Sequence, residues 1–177
     1  AFLSGLQEGM VVDIGGTTTD IGALVHGFPR EASVEVEVGG VRTNFRMPDV
    51  YSFGLGGGSI VTDRRPAMDD GRPWPVEIGP LSVGYELTAK ARVFGGEVLT
   101  ATDVAVAGGR AEIGDKSRVA DLDAPLVASG LDYIQRRVEE AIDRMKLSRE
   151  PAPVILVGGG SILGSEKLAG ASEVLHP

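Results

Sequence analysis

The sequence contains no cysteine. That excludes a disulfide framework, a thiolate zinc site and a cysteine nucleophile. Histidine is nearly as scarce: the 2 histidines, His26 and His176, stand far apart with no metal-ligand spacing, so each is read as a surface or packing residue. Basic residues are outnumbered, 17 Lys and Arg against 25 Asp and Glu, for a formal net charge of −8. General binding to nucleic acid or an anionic membrane calls for a basic patch, so neither partner is expected. No apolar run approaches the roughly 20 residues needed to span a bilayer and no signal-peptide pattern opens the chain, which makes a cytoplasmic protein the expectation. Ser59 and Ser161 follow glycines but lack the Gly-x-Ser-x-Gly elbow of a hydrolase. Phosphate and metal handling is the chemistry left open.

Glycine, by contrast, is abundant at 26 of 177 residues, and it falls in clusters between apolar runs, as turns do, instead of forming a low-complexity tract. The length fits one domain, or one lobe of something larger. A start at Ala1 without an initiator Met and an end shortly after a strand and turn are what an excised piece would show.

The densest stretch spans 10–25, where the apolar run Met10-Val-Val-Asp-Ile14 leads into Gly15-Gly16, three threonines and Asp20. Glycine at 15 and 16 lets a ligand approach the backbone without meeting a Cβ, so amide N–H groups can converge on a phosphate. Thr17, Thr18 and Thr19 add hydroxyl donors. Asp13 and Asp20 would repel a bare phosphate, and their useful role is to hold a hard cation, usually through water, which points to a Mg-nucleotide. A dinucleotide fold would pass from the glycine loop into a helix, whereas β-branched threonines favour a second strand. Strand, turn, strand is therefore predicted, closed by the turn signal His26-Gly-Phe-Pro29, and a Rossmann fold is rejected.

Residues 33–38 alternate valine with glutamate, the period of a half-buried strand, and 41–45 return after Gly39-Gly40. Arg42 and Arg46 there would either reach a phosphate or carboxylate or stand exposed. The second cluster, Gly54-Leu-Gly-Gly-Gly-Ser59, implies backbone passing close either to a ligand or to another strand. Residues 63–75 read as a surface loop with Trp74 as a packing plug, and 76–83 as a short strand interrupted at Gly79-Pro80. A helical turn is expected around 89–93, with a turn at Gly95-Gly96. Thr100 or Thr102 would cap a short helix, with Asp103 favoured by its dipole or serving a metal. Apolar residues recurring at three and four predict a long amphipathic helix over 124–147, its charged face solvated and laced by the pairs Asp132–Arg136 and Glu140–Arg144. After Pro151 and Pro153, residues 154–157 read as a strand buried on both sides, turning at Gly158-Gly-Gly-Ser161 into a short helix. Gly-Gly-Gly-Ser-Ile occurs at both 56–60 and 158–162, without the flanking similarity of a duplicated domain.

Asp13-Ile-Gly-Gly-Thr-Thr-Thr-Asp20 resembles the second phosphate hairpin of the actin, hexokinase and Hsp70 ATPase superfamily, and Leu156-Val-Gly-Gly-Gly-Ser161 resembles its adenosine-binding strand and turn. Four further segments, Arg42-Thr-Asn-Phe-Arg-Met-Pro-Asp49, Gly54-Leu-Gly-Gly-Gly-Ser-Ile-Val61, Gly79-Pro-Leu-Ser-Val-Gly84 and Leu99-Thr-Ala-Thr-Asp103, are similar to the hydantoinase A and 5-oxoprolinase family. The resemblance implies an α/β, ribonuclease H-like (actin-like ATPase) lobe with a mixed β-sheet, glycine-rich hairpin turns and one long amphipathic helix. Residues 1–177 would form a single lobe, the C-terminal ATPase-like half of a larger hydantoinase/oxoprolinase-type protein, with a β-rich insertion at roughly 48–100. Relatives use ATP to hydrolyse a cyclic amide such as hydantoin or 5-oxoproline, or belong to ketone carboxylases, and phosphorylation of the amide oxygen would create a leaving group that water can exploit. On that resemblance Gly15, Gly16, Thr17 and Thr18 cradle the β- and γ-phosphates, Asp13 positions Mg²⁺ or its water with Asp20 as second candidate, and Gly158, Gly159 and Gly160 lie against adenine or ribose. The family's first phosphate hairpin is absent from the sequence, so half an interdomain ATP site is expected here, completed by a missing N-terminal lobe and with a second subunit as partner. After Ser82, where many relatives carry a small-residue, proline-containing loop, this chain has Val83-Gly-Tyr-Glu-Leu87. A lobe of a small-molecule kinase and a non-enzymatic assembly module are the competing readings.

Overall fold

The apolar run before the first glycine turn forms β1 (Gly9–Ile14), and the threonine-led run after it forms β2 (Thr19–Val25), paired antiparallel with Asp13 opposite Asp20. This is a computed structural model, describing residues 5–32, 36–38, 41–43, 47–64 and 76–176, with the backbone alone described at 36–38 and 41–43. His26 and Gly27 take positive φ of 53° and 79°, as a tight hairpin requires, and bring β3 (Phe28–Pro29) back onto β2. The alternating valines pair as β4 (Val36–Val38) and β5 (Val41–Thr43). The side chain of Arg42, together with Arg46 and Trp74, lies outside the described residues.

The chain then adds β6 (Val50–Phe53) antiparallel to β2, followed by β7 (Ser59–Asp63) and β8 (Val76–Ser82), which form a two-stranded sheet of their own. The interruption expected at Gly79-Pro80 is one of pairing and not of the strand: β8 runs through it with Gly79 at φ +75°, but between Ile78, opposite Val61, and Ser82, opposite Ser59, the register shifts. A four-residue helix, α1 (Leu87–Lys90), leads towards α2 (Ala101–Ala107). Thr100 caps α2: its Oγ1 accepts from the Asp103 amide while the Asp103 carboxylate accepts from the Thr100 amide, a reciprocal capping box.

The long periodic stretch is α3 (Ala124–Met145), ending two residues short of the expected limit, and the proline-flanked apolar run is β9 (Ala152–Val157), followed by β10 (Ala171–Leu175). β9 lies parallel to both β1 and β10, giving a mixed six-stranded sheet in the order β10-β9-β1-β2-β3, with β6 also on β2. Alternation along β1 sends Met10, Val12 and Ile14 to one face. There they join Ile134, Val138, Ala141 and Ile142 of α3 in a core that also takes in Ile21, Phe53, Val154 and Leu156 and reaches Ile78 of β8 and Val104 of α2. Each of these side chains except Ala141 contributes about 1.5–3 kcal/mol by leaving water. The alternate position, Asp13, emerges on the opposite face.

The charged face of α3 is not simply solvated. Asp132 and Arg136 pair as expected, at 2.9 Å. Arg144, however, sits over the Tyr51 ring, 4.5 Å from its centroid, and Arg137 over Phe53 at 5.3 Å, while Glu140 is 3.8 Å from Arg137 instead of pairing with Arg144. Two α3 cations thus cover the aromatic side of β6.

Candidate functional site

Because β1 and β9 run parallel with Asp13 beside Val157, their carboxyl ends coincide, and the 15–18 and 158–160 turns leave the sheet at the same edge. That edge is where open α/β sheets hold ligands. The first turn is closed by the Gly15 amide, which donates to the Thr18 carbonyl at 2.8 Å. The amides of Gly16, Thr17 and Thr18 have no protein acceptor among the described residues, and all three residues are exposed. Three free donors on consecutive residues, with hydroxyls at 17 and 18, suit a phosphate.

The second glycine cluster braces this turn from behind. The Gly57 amide donates to the Gly15 carbonyl at 3.0 Å, and the Gly58 amide to the Gly16 carbonyl at 2.7 Å. A Cβ at Gly56 would lie 2.6 Å from the Gly16 carbonyl carbon and from the Thr17 nitrogen, so only glycine lets the two backbones approach this closely. Of the two expectations for 54–59, ligand contact or backbone approach, the structure shows the backbone. Buried hydroxyls anchor the brace: Thr19 Oγ1 donates to the Leu55 carbonyl at 2.7 Å, Thr102 Oγ1 to the Gly57 carbonyl at 2.9 Å, and Ser59 Oγ accepts from the Gly56 amide at 2.8 Å. Each bond contributes about 0.5–1.5 kcal/mol net.

The 158–160 turn closes on the other side. The Gly160 amide donates to the Ile14 carbonyl at 2.7 Å, and a Cβ at 160 would lie 2.6 Å from the Gly15 carbonyl oxygen. Gly158, at φ +88°, has its would-be Cβ against Asp13 Oδ1 and the Ile14 carbonyl. Gly16 and Gly159, one in each turn, have nothing within 4 Å of a Cβ position, so both turns keep an open side.

Asp13 and Asp20 face each other across the hairpin and line a cavity of about 320 Å³ on the sheet face away from α3. Asp49, on the same cavity, is matched by Arg30 at 2.6 Å. The Asp20 carboxylate accepts from Ser52 Oγ. Like charges directly opposite on neighbouring strands destabilise the pair unless a cation lies between or near them. No group of three metal-ligating side chains occurs among the described residues. Two carboxylates with water filling the remaining positions is the pattern Mg²⁺ accepts, since it sheds water reluctantly.

The nine residues that the resemblance assigns to the nucleotide and its metal, Asp13, Gly15, Gly16, Thr17, Thr18, Asp20, Gly158, Gly159 and Gly160, therefore lie on or beside these two adjoining turns. Sequence reasoning missed the residues that hold them. Ser52 orients Asp20. Ser82 Oγ donates to the Gly16 carbonyl at 3.3 Å, lies 3.5 Å from Thr17 Oγ1, and accepts from the Gly84 amide. The only sequence signal for Ser82 was its place in Gly79-Pro-Leu-Ser. Asp103, weighed as a metal ligand, is fully buried and spends its carboxylate on the Val93 amide and on the amide and hydroxyl of Thr100. His26 is exposed beside Glu8, and His176 lines a separate cavity.

In comparison with known proteins, the chain's structure aligns with an acetone carboxylase, from a nucleotide-free structure addressing ATP-dependent acetone carboxylation, with a TM-score of 0.67 and 18% identity over 98% of this chain and 27% of that one. It also aligns with the ATP-dependent caprolactamase of Pseudomonas jessenii, with a TM-score of 0.71 and 22% identity over 100% of this chain and 28% of that one. The chain thus spans little more than a quarter of either. The fold is the one expected, a ribonuclease H-like α/β lobe of the actin-like ATPase type. No helix among the described residues is long and apolar enough to cross a membrane. No curated protein matches the sequence. The family model for hydantoinase/oxoprolinase matches residues 1–115, and with well over half its length so matched, the chain belongs to the hydantoinase/oxoprolinase family.

Proposed function

We propose that this chain is the nucleotide-binding lobe of a larger, ATP-dependent, cytoplasmic enzyme that hydrolyses a cyclic amide of the hydantoin or 5-oxoproline kind, and that it is inactive by itself. The observation that carries the reading is the 15–18 turn, with three consecutive amides that meet no acceptor among the described residues, locked between two other glycine turns and flanked by Asp13 and Asp20, which meet no cation among the described residues. Gly15, Gly16, Thr17 and Thr18 would hold the β- and γ-phosphates by their amides and hydroxyls. Asp13 would hold Mg²⁺ through water, with Asp20, fixed by Ser52, as the second carboxylate. Gly158, Gly159 and Gly160 would lie against ribose or adenine, where Gly159 leaves the space open.

Bound Mg-ATP would supply a transferable phosphoryl group and the charge that neutralises it, which turns an unreactive ring amide into an electrophile. The chain's own part is positioning. Amides fixed in advance by the 54–58 brace need no reorganisation when charge develops near them. We take residues 1–177 as one lobe carrying a β-rich insertion at roughly 48–100. An opposing lobe, with a second subunit as partner, would supply the other half of the site, in keeping with the little more than a quarter of the solved chains that this chain spans.

Calorimetric titration of the chain with Mg-ATP tests the reading. Weak binding is expected, with dissociation constants well above micromolar, and Asp13→Asn should abolish the Mg²⁺ dependence of whatever binding remains. Submicromolar binding that Asp13→Asn leaves untouched would refute the assigned roles.

A further inference from the structure

The end of α2 and the segment after the 158–160 turn enclose a cavity of about 570 Å³ that adjoins the adenosine-like turn at Ser161 but contains none of the residues assigned to phosphate, metal or nucleoside, lined by Gly109, Arg110, Ser161, Ser165, Lys167 and His176, with Glu166 the one acid among the described lining residues. Arg110 is its fixed wall. Gly109 takes φ +76°, and the Arg110 amide reaches back to the Ala105 carbonyl at 2.8 Å, so the side chain leaves the helix end in a set direction. Nη1 donates to the Leu163 carbonyl at 2.6 Å. Among the described residues the guanidinium meets no carboxylate, although the chain carries eight more acidic than basic side chains.

A guanidinium has five N–H donors in a planar fork, and one carbonyl occupies only one of them. Burial already pushes its pKa below the ordinary value, as expected of a cation partly stripped of water. Glu166 is exposed and does not pair with it. Lys167, also exposed, adds a second cation at the rim. Oxygen anions are the ligands that match such a fork, often through two parallel bonds.

We propose that this cavity is an anion site, separate from the 15–18 turn, which takes the phosphate or carboxylate group of a small molecule on Arg110 with Lys167 as the supporting cation at its mouth. The alternative is that Arg110 only fastens the 161–163 turn to α2, in which case no anion binds.

Amide and guanidinium resonances of the ¹⁵N-labelled chain, titrated at low ionic strength with inorganic phosphate in one series and succinate in the other, separate the two. Saturable shifts confined to Gly109, Arg110 and residues 161–167 are expected with at least one anion, and which series saturates first identifies the group preferred. Arg110→Lys keeps the charge and loses the fork, so binding should weaken about tenfold, or about 1.4 kcal/mol. Arg110→Gln should remove it, and Lys167→Ala should weaken it severalfold. Should Arg110→Gln fail to fold, Arg110→Lys and Lys167→Ala decide. Asp13→Asn should leave these shifts unchanged, so failure here and failure of the nucleotide reading are told apart. Absence of saturable shifts with both anions, shifts that map to residues 15–18 instead, or full binding in both Arg110→Lys and Lys167→Ala would overturn the proposal.

Discussion

Two alanine substitutions, one in the brace and one in the turn it supports, should separate structural glycine from ligand-facing glycine. At Gly56 an added Cβ would stand 2.6 Å from the Gly16 carbonyl carbon and the Thr17 nitrogen and 2.7 Å from the Gly15 oxygen, all backbone atoms that cannot rotate away. Restoring an ordinary contact near 3.4 Å moves the segments apart by about 0.8 Å (3.4 − 2.6). The bonds from Gly57 and Gly58, now 3.0 and 2.7 Å, would then stretch to or beyond the limit of hydrogen bonding. Two lost bonds at about 0.5–1.5 kcal/mol each, with residual overpacking of about 1 kcal/mol, give Gly56→Ala a cost of about 2–4 kcal/mol. For a chain of this size that lowers Tm by roughly 5–15 °C. Gly16→Ala meets nothing within 4 Å, so its stability should stay within about 0.5 kcal/mol of the parent. Its methyl group enters the open side of the turn, and Mg-ATP affinity should fall at least about tenfold, or about 1.4 kcal/mol. Scanning calorimetry reads the first effect and isothermal titration the second. An unchanged Tm for Gly56→Ala would refute the brace, and unchanged nucleotide binding in Gly16→Ala would refute the phosphate assignment.

Asp103→Ala leaves the amide and hydroxyl of Thr100 and the amide of Val93 without their buried acceptor, and should cost about 3 kcal/mol or more, read as a lowered urea midpoint with the slope unchanged. Asp121 has its pKa held below the ordinary carboxylate value first by its hydrogen bond from Arg92, and then by the nearby Arg92 charge. A depressed folded-state pKa contributes stability above the unfolded value, near 3.9, that is lost as pH falls through the folded value. Arg92→Ala should therefore move the Asp121 carboxyl titration upward towards that value in a ¹³C-detected series and flatten this contribution to the acid limb, and an unmoved titration would show that the pair does not form in solution.

What could be read from the sequence was local. Met10, Val12 and Ile14 alternate along one strand, α3 repeats every three to four residues, and Thr100 stands three residues before Asp103. These patterns depend on neighbours in the chain, and the structure kept them. Partner choice among distant groups was not legible. Glycines at 56–58 announce a close approach without naming what approaches, and their partner turn lies some forty residues earlier. Helical spacing offered Arg144 to Glu140, a pair worth about 0.2–0.5 kcal/mol, whereas the Tyr51 ring delivered by β6 offers about 0.5–2 kcal/mol, and the tertiary partner prevails. Ser52 and Asp20 meet only because β6 joins β2 in the register that sets them opposite.

The repeated Gly-Gly-Gly-Ser-Ile shows why a motif alone underdetermines a site. At 56–60 the glycines are buried, Ser59 is turned back on the Gly56 amide, and the segment's smallness is spent against the 15–17 backbone. At 158–162 the same five residues follow a parallel strand. Gly158 and Gly160 are spent against the end of β1, while Gly159 faces open space and Ser161 borders the Arg110 cavity. What differs is the preceding strand: β9 delivers its turn to the carboxyl edge of the main sheet, whereas the turn leaving β6 passes behind the hairpin and enters β7. One copy therefore braces the 15–18 turn from behind and the other shapes the open edge beside it. Function at both follows from where the sheet carries the peptide and not from the peptide itself.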